Sequence, residues 1–166
     1  MEAKTIILDT KQINNKIKRI AYQIYEANIL EEEIVIAGIE TNGFLLAKNL
    51  KRMVEKISPL KVTLCRVFVD KKKPIAPVKT SLKTEEYQNK SLVLVDDVLH
   101  SGTTLIYGVK HFLEVPLKRF KTAVLVNRNH KKYPVKADFK GISLSTSLNE
   151  NIVVVFKKNT IYAVLE

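Results

Sequence analysis

The sequence has little of several things that whole classes of protein require. Its 166 residues include one cysteine, no tryptophan, five glycines and five prolines. The single cysteine, Cys65, excludes an intramolecular disulfide and a thiolate metal site, and we interpret it as a packed strand residue. So little glycine and proline argues against collagen-like and disordered chains. No apolar run approaches the roughly 20 residues that a membrane span needs, so we predict a soluble globular protein without a membrane partner.

The length is typical of one domain, and we predict a single domain over residues 1–166. The first residues lead straight into an alternating stretch and lack the basic and apolar regions of a secretory signal. We therefore expect a cytoplasmic location, with which a lone cysteine also agrees.

The chain carries a large excess of positive charge. It has 28 Lys and Arg against 17 Asp and Glu, a formal net charge of +11. The excess is concentrated in residues 118–140 and in a run of lysines at residues 71–73. An anionic partner is one interpretation, and a solvated basic surface is the other. Charge alone does not distinguish nucleic acid from a phosphorylated metabolite.

Apolar periodicity predicts strands that alternate with helices. Helical spacing of apolar residues predicts helices over residues 10–28, 43–58 and 104–114. Short apolar and β-branched runs predict strands over residues 4–8, 34–39, 61–69, 91–95 and 122–126, and a terminal hairpin over residues 152–156 and 161–165. Strands that alternate with helices indicate parallel βαβ units, so we expect an α/β fold with an open twisted sheet and helices on both faces.

Residues 70–90 follow no sustained period. They contain two prolines and many lysines, and we predict a long loop with at most ragged hairpin strands. A loop of about 20 residues inside a compact domain is usually functional or disordered.

The segment of residues 93–104 combines an apolar strand, two carboxylates and a short polar loop. Asp96 and Asp97 follow the strand, and residues 101–104 read Ser-Gly-Thr-Thr before a helix. In open α/β sheets ligands bind at such strand ends, and this loop can direct amides, hydroxyls and a helix dipole at one phosphate. An ordinary capped helix start is the alternative. The carboxylates suit the hydroxyls of a sugar that bears the phosphate, directly or through a divalent cation.

This segment resembles the phosphoribosyl pyrophosphate (PRPP) signature of type I phosphoribosyltransferases, in which an acidic pair precedes a Thr/Ser-Gly-x-Thr loop. Residues 38–43, Gly-Ile-Glu-Thr-Asn-Gly, are similar to the pyrophosphate loop of that fold. Three later segments are similar to the PyrR group, at residues 123–130, 134–139 and 145–147. PyrR proteins are bacterial uracil phosphoribosyltransferases that also act as RNA attenuators of pyrimidine operons. The similarity extends from residue 7 to residue 166.

The resemblance implies a fold and a reaction. The fold would be an open, mostly parallel sheet with helices on both faces, a small hood from the terminal segments and a flexible active-site loop at about residues 69–90. A nitrogen of a nucleobase, with uracil expected, would displace pyrophosphate from C1 of PRPP through an oxocarbenium-like transition state and give UMP. Mg²⁺ would be the cofactor, and closure of the loop would exclude water. The resemblance also suggests a homodimer.

Each site residue receives a role from the same resemblance. Asp96 and Asp97 would act as catalytic residues that hold the ribose hydroxyls, and they would contact the metal directly or indirectly. The 5′-phosphate would be bound by Val98, Leu99, His100, Ser101, Gly102, Thr103 and Thr104. The pyrophosphate would be bound by Glu40, Thr41, Asn42 and Gly43. Arg128 and His130 would line the base pocket.

The sequence departs from the PyrR pattern at four places. Asn42 stands where PyrR proteins usually have an arginine beside the leaving pyrophosphate. Residues 66–68, Arg-Val-Phe, keep only the arginine of an Arg-Asp-Asp triplet, and residues 127–130, Asn-Arg-Asn-His, replace Asp-Arg-Gly-His. Thr103 replaces an arginine in the phosphate loop, where backbone amides and hydroxyls do most of the binding.

Two alternative functions stay open. A regulatory RNA-binding protein could keep the nucleotide site as a sensor for UMP with little catalysis, which the missing cation at Asn42 and the basic surface favour. A transferase for a purine base is the other, because base choice rests on backbone contacts in the hood. RNA is therefore a candidate partner beside PRPP and a nucleobase or nucleotide.

Overall fold

The computed structural model describes residues 4–147 and 149–166. Along the chain its elements are β1 (Thr5–Leu8), α1 (Thr10–Ala27), β2 (Glu33–Ile39), α2 (Asn42–Ile57), β3 (Lys61–Phe68), β4 (Lys79–Thr80), α3 (Thr84–Tyr87), β5 (Ser91–Leu99), α4 (Thr103–Phe112), β6 (Arg119–Arg128), β7 (Phe139–Leu144), β8 (Ile152–Phe156) and β9 (Ile161–Leu165). Strands and helices alternate from β1 to β3 and again around α4, as the periodicity predicts.

A sheet with the strand order β4-β3-β2-β5-β6-β7 forms the centre of the molecule. β3, β2, β5, β6 and β7 are parallel to one another, and β4 is antiparallel to β3. From β2 the chain continues outward to β3 on one side, and from β5 it continues to β6 on the other. The carboxyl ends of β2 and β5 therefore meet where the strand order reverses, which is where α/β sheets bind ligands. The predicted α/β class is confirmed.

Helices cover both faces of this sheet, as predicted. α1 and α2 pack on one face through the buried side chains of Ile13, Ile17, Ile20, Ile24, Leu46, Leu50 and Val54. α4 packs on the other face, where Leu105 and Phe112 are buried. The Asp9 carboxylate caps α1, because it accepts a hydrogen bond of 2.8 Å from the Gln12 amide. In the described parts of the chain, no helix is long and apolar enough to span a membrane.

The terminal segments form a second, three-stranded sheet in the order β1-β9-β8, which we call the hood. β8 and β9 form the predicted hairpin, with Ile152 opposite Leu165 and Phe156 opposite Ile161. β1 pairs antiparallel with β9. The hood therefore joins a strand from near the start of the chain to two strands from its last residues.

The sequence did not predict β7. This strand pairs in parallel with β6, although residues 129–138 between them form no helix. Gly141 lets β7 lie close to β6, because a Cβ there would come within 2.4 Å of the Leu125 carbonyl oxygen. The Arg19 guanidinium of α1 donates to the carbonyl oxygens of Lys140, at 3.1 Å, and Gly141, at 2.6 Å. β7 is thus held by tertiary contacts, which its sequence of apolar, polar and glycine residues does not indicate.

Residues 70–90 are more structured than predicted in their second half. β4 pairs with the end of β3 as a short hairpin, and α3 follows it. The Tyr87 ring of α3 is buried and meets the Phe112 ring edge-on, with centroids 5.1 Å apart. Residues 70–78 lie outside any helix or strand. The prediction of a long loop is therefore confirmed for residues 70–78 and wrong for α3.

Candidate active site

Two connections meet where β2 and β5 end. Residues 40 and 41 join β2 to α2, and residues 100–102 join β5 to α4. At this edge of the sheet lies a cavity of about 270 Å³, lined by Lys71, residues 96–105 and residues 152–154 of β8. The structure therefore brings the predicted acidic pair and the predicted phosphate loop into one cavity.

β5 extends further than the sequence predicted. It runs to Leu99, so the four residues from Asp96 to Leu99 are strand residues and not loop residues. The Val98 and Leu99 side chains are buried in the two cores on opposite faces of the sheet. Their role in phosphate binding stays a prediction, and it would fall to their backbone.

The Asp96 carboxyl is buried beside the start of α2. Its Oδ1 accepts a hydrogen bond of 2.9 Å from the Asp97 amide. Burial and, second, the neighbouring Asp97 carboxylate raise the pKa of Asp96 well above its usual range. A buried carboxyl with a raised pKa at a ligand-binding edge is typical of functional sites.

Two glycines let α2 approach this carboxyl. A Cβ on Gly43 would come within 2.8 Å of the Val95 carbonyl oxygen and 3.1 Å of Asp96 Oδ1. A Cβ on Gly38 would come within 2.5 Å of the Phe44 Cα atom. The glycines at both ends of the pyrophosphate-loop motif are therefore needed to bring that loop against the acidic pair.

Asn42 connects the pyrophosphate loop to the acidic pair and to the hood. Its side-chain amide donates to Asp97 Oδ2 at 3.1 Å and to the Val154 carbonyl oxygen at 2.9 Å. Both hydrogens of that amide group are thereby used. The residue that stands in place of an arginine thus links three elements and brings no positive charge.

None of the pyrophosphate-loop residues 40–43, Asn42 included, is among the residues that line the cavity. The Glu40 carboxylate accepts a hydrogen bond of 3.2 Å from Arg66, the arginine retained at the end of β3. The Arg66 guanidinium also lies 4.3 Å from the centroid of the Phe44 ring. The Glu40–Thr41 peptide bond is cis. Arg66 therefore places a positive charge at this loop, although its side chain is committed to Glu40 and Phe44.

The loop before α4 has the geometry of an anion cradle. Gly102 has a left-handed φ of 86°, and a Cβ there would lie 2.6 Å from Val135 Cγ1. The hydroxyls of Ser101 and Thr103 lie 2.8 Å apart, and no acidic residue occupies the first turn of α4. Amides and hydroxyls at the positive end of a helix dipole favour a bound phosphate.

The segment between β6 and β7 holds this loop in place through hydrogen bonds. The Ser101 carbonyl oxygen accepts hydrogen bonds from the amides of Lys132, at 2.8 Å, and Tyr133, at 3.0 Å. These bonds connect the phosphate loop to the segment between β6 and β7, and no sequence pattern indicated that contact.

His100 and Arg128 are hydrogen-bonded to each other. Arg128 Nη1 donates to His100 Nδ1 at 2.9 Å, and because a guanidinium only donates, the neutral imidazole carries its proton on Nε2. Burial and then the positive charge of Arg128 lower the pKa of His100. Arg128 also donates to Thr146 Oγ1 at 2.7 Å and to the Ser147 carbonyl oxygen at 3.0 Å. It therefore ties residues 145–147 to the phosphate loop.

The two residues predicted to bind the base lie in one depression beside the main cavity. The depression has a volume of about 410 Å³ and is lined by His100, Ser101, Arg128, His130, Lys131, Lys132 and Asn151. Arg128 is buried, whereas His130 is exposed. The structure brings the pair together, and their role in base binding stays a prediction.

Sequence reasoning missed two parts of the cavity lining. In the sequence, Lys71 is simply one of three consecutive lysines, yet of the three it is the one that lines the cavity. Residues 152–154 were predicted as a strand, but no pattern showed that this strand lies over the end of β5. The contact between hood and sheet decides both the position of β8 and the shape of the cavity.

The donor set for a metal ion is small. Within residues 4–147 and 149–166, no group of three or more His, Cys, Asp and Glu side chains is arranged to hold a metal. The acidic pair offers two carboxyl groups beside an anion cradle. Such a set suits Mg²⁺ that is held partly by the phosphates of a ligand, since Mg²⁺ is usually bound by one or two carboxylates plus substrate oxygens.

Comparison with known proteins agrees with this geometry. Residues 4–159 match the phosphoribosyl transferase domain family. The chain is 35% identical to the bifunctional protein PyrR of Macrococcus caseolyticus, with 91% of each chain covered. It is 36% identical to the bifunctional protein PyrR of Fusobacterium nucleatum, with 95% of this chain and 94% of that protein covered.

Solved structures show the same fold. A hypoxanthine-guanine phosphoribosyltransferase from Bacillus anthracis matches with a TM-score of 0.77 at 23% identity, over 97% of this chain and 96% of that one. The hypoxanthine phosphoribosyltransferase of Trypanosoma cruzi also matches with a TM-score of 0.77, at 17% identity, over 97% of this chain and 96% of that one. At these identities the likeness extends to the fold and not to the choice of base.

One assignment follows from four observations. They are the acidic pair, the anion cradle, the family match along most of the chain, and relatives that are more than a third identical to it. The chain belongs to the phosphoribosyl transferase domain family and is a PRPP-dependent phosphoribosyltransferase similar to the PyrR proteins.

Proposed function

We propose that this protein transfers the 5-phosphoribosyl group of PRPP to uracil, giving UMP and pyrophosphate. One observation carries the proposal: the acidic pair and the anion cradle line the same cavity at the end of β5. A phosphorylated sugar presents hydroxyls and a phosphate, and the cavity offers a separate group of side chains for each. Uracil as the base is supported by the similarity to PyrR proteins.

The cradle of residues 101–104 binds the 5′-phosphate in this proposal. Its backbone amides and the N-terminal end of α4 supply donors, while the Ser101 and Thr103 hydroxyls turn from each other toward the phosphate oxygens. Because Gly102 and the amides of Lys132 and Tyr133 fix the loop, little ordering accompanies binding.

The acidic pair binds the ribose. As the base nitrogen forms its bond to C1, the C1–O bond to pyrophosphate breaks, and the pyrophosphate leaves with its electron pair and takes up the proton that the base nitrogen loses. The Asp97 carboxylate favours the positive charge that develops on the ring. Asp96, whose pKa is raised by burial, accepts the Asp97 amide and thereby fixes the position of Asp97. Residues 152–154 of β8 form one wall of the cavity and limit the access of water, which would compete for C1.

Mg²⁺ fits the residues that are present. Asp96 and Asp97 would hold it, directly or through water, together with PRPP. When bound, the ion neutralises charge on the pyrophosphate and so makes it a better leaving group.

Residues 70–78 act as the lid in this proposal. They lack helix and strand, and Lys71 already lines the cavity, whereas α3 behind them is anchored by the buried Tyr87. Limited trypsin digestion should cut after residues 71–73 faster than after residues 79–90, and PRPP with Mg²⁺ should protect the first group. Equal cleavage with and without the ligands would contradict a lid.

The base lies between β8 and the depression that holds Arg128 and His130. Residues 152–154 offer apolar contact to a ring, and Arg128 fixes residues 145–147, whose backbone groups can read the edge of the base. A homodimer and a cytoplasmic location complete the proposal, both on the similarity to PyrR proteins, and sedimentation velocity checks the dimer.

A second function has an observation of its own. Asn42 brings no cation to the leaving pyrophosphate and is hydrogen-bonded to Asp97 and the hood. A UMP sensor that binds RNA through its basic surface needs the nucleotide cavity but not the leaving-group cation. This alternative predicts tight UMP binding together with little turnover.

An isotope assay separates these functions. The full-length chain is incubated with PRPP, Mg²⁺ and labelled uracil, hypoxanthine or guanine, and UMP and GMP are titrated in parallel by calorimetry. We expect turnover with uracil alone. Turnover with a purine base would contradict the choice of uracil, and UMP binding without turnover of any base would favour the sensor.

A further inference from the structure

A second cleft lies apart from the candidate active site, between the start of α1, one side of α2 and the turn that joins β8 to β9. Its volume is about 390 Å³, and it is lined by Thr10, Asn14, Leu45, Lys48, Asn49, Arg52 and residues 156–161. It shares no lining residue with the active-site cavity. We call it the basic cleft.

Four cations face one another across the basic cleft. Lys48 and Arg52 come from α2, and Lys157 and Lys158 come from the β8–β9 turn. All four are exposed, and within the described chain none of them forms an ion pair with a carboxylate. Like charges held on two walls repel each other, so this arrangement favours an anion between them.

The nearby carboxylates are occupied elsewhere. Asp9, next to Thr10, caps α1 by accepting the Gln12 amide. Glu55, one turn beyond Arg52 on α2, pairs with Lys51 at 3.7 Å. The described residues that line the cleft include no Asp or Glu.

Uncharged donors and a fixed frame complete the cleft. Asn14 and Asn159 add side-chain amide groups to the cations. The Ile161 amide donates to Thr10 Oγ1 at 3.3 Å, and the Lys157 amide donates to the Thr160 carbonyl oxygen at 2.8 Å. These bonds fix the turn against α1, so the walls are formed before any ligand binds.

We propose that the basic cleft is a binding site for a linear polyphosphate chain, either inorganic or the triphosphate of a nucleotide. A triphosphate carries about four negative charges near neutral pH, which matches four cations on two walls. The arginine offers a planar fork of donors to phosphate oxygens, and the volume lies within the range of small-molecule sites.

The two walls of the basic cleft meet again at the active site. Asn42, the first residue of α2, donates to the Val154 carbonyl oxygen of β8. Lys48 and Arg52 follow on α2, and Lys157 directly follows β8. A polyphosphate that bridges these walls holds the hood against α2, and so changes the affinity of the cavity for PRPP. This regulatory part rests on the proposed function, whereas binding in the cleft does not.

Calorimetric titration with inorganic tripolyphosphate tests the site. The double variant Lys157→Gln/Lys158→Gln should bind about tenfold more weakly than the unmodified chain, because two of the four cations are removed. The double variant Lys110→Gln/Lys140→Gln loses the same charge on α4 and β7, away from the cleft, and should bind as the unmodified chain does. ATP at equal affinity indicates a site for the phosphate chain alone, and tighter ATP binding indicates a nucleotide site; both support the proposal.

Three results would overturn it. The first is an absence of tripolyphosphate binding by the unmodified chain. The second is weaker binding in Ser101→Ala/Thr103→Ala but not in the cleft variant, which would place the ligand in the anion cradle. The third is a cleft variant that binds an RNA hairpin more weakly but binds tripolyphosphate as tightly as the unmodified chain does. That result would make the cleft part of an RNA-binding surface.

The regulatory part has a separate readout. The dissociation constant of PRPP is measured with and without tripolyphosphate, in the unmodified chain and in the cleft variant. A shift that the cleft variant lacks supports coupling, and equal shifts in both proteins contradict it. If no PRPP binds at all, the proposed function fails, and the tripolyphosphate titration still decides the cleft.

Discussion

The loops at the ends of β2 and β5 occupy equivalent places in the sheet but differ in what they offer a ligand. The loop after β5 presents backbone amides and hydroxyls whose hydrogen bonds stay within the loop, and its backbone is fixed by Gly102 and residues 132–133. The loop after β2 leads into Asn42, whose side chain donates hydrogen bonds to Asp97 and to the hood. One loop is therefore ready to receive an anion, and the other is closed on the protein itself.

This difference separates anchoring from catalysis. A cradle for the 5′-phosphate holds substrate and transition state equally, so it sets affinity. A cation at the leaving pyrophosphate acts on charge that accumulates only as the bond breaks, so it sets the rate. In the proposed function the chain keeps the cradle of residues 101–104, and at the pyrophosphate it has the uncharged amide of Asn42. Lys71 is the cation that the structure places in the cavity instead.

The strongest loss of PRPP binding is expected from a substitution in the acidic pair, which lies between the two loops. Asp97→Asn removes the charge beside the ribose but keeps an oxygen that can accept the Asn42 amide, so the fold should persist. PRPP should bind about 10- to 100-fold more weakly, because a charge-assisted contact is worth roughly 1.5 to 3 kcal/mol. Calorimetry with PRPP and Mg²⁺ measures this loss, with Glu114→Gln, two residues beyond the end of α4, as a charge-matched control. Unchanged affinity would remove Asp97 from the site.

The second test asks whether Lys71 replaces the missing cation. Lys71→Met should weaken PRPP binding about three- to tenfold, because an exposed ammonium is partly screened by solvent. Lys72→Met removes the same charge one residue later, at a position that does not line the cavity, and should have little effect. Titration of both variants with PRPP at two salt concentrations makes the comparison. Equal losses in the two variants would mean that only the total charge of the segment matters.

The third test gives the pyrophosphate loop an arginine of its own at position 42. Asn42→Arg should raise kcat about threefold or more and leave KM for the base nearly unchanged, since the new cation acts on the transition state. Asn42→Leu breaks the same two hydrogen bonds without adding charge, and should lower activity. Steady-state kinetics separate kcat from KM. A gain in both variants would show that release of the hood, and not charge, limits turnover.

The weakest change is expected in how the stability of the protein depends on pH, through the buried carboxyl of Asp96. Because burial and Asp97 raise the pKa of Asp96 in the folded state, the folded protein binds that proton more tightly than the unfolded chain does. The resulting stability is complete below the ordinary carboxyl pKa of about 3.9 and is lost as pH rises through the raised pKa. The Asp96→Asn variant has no carboxyl to ionise at this position. Its thermal midpoint, taken relative to that of the unmodified chain, should therefore rise from acid to neutral pH. Parallel midpoint curves for the two proteins would contradict the raised pKa.

Local pattern was enough to predict most elements of the sheet and its helices. Each local pattern fits one kind of apolar face, so it predicts an element without knowledge of what packs against it. Examples are the β-branched run of residues 34–39 and the helical spacing of Ile13, Ile17, Ile20 and Ile24, all of which are buried. α3 and β7 could not be predicted in this way. Each is held by a side chain from far along the chain or by the backbone of a neighbouring strand, as the contacts of Tyr87 and Gly141 show.

The same division applies to the candidate site. The acidic pair, the anion cradle and the two glycines could be identified from the chain alone, because each is a short motif whose chemistry is complete within a few residues. The folded chain was needed to show three further features: Asn42 donates to Asp97 and Val154, Arg128 donates to His100, and Lys71 and β8 line the cavity. These contacts join strands and loops whose order in the sheet is set by long-range packing, and a single sequence carries no direct record of which distant residues that packing brings together.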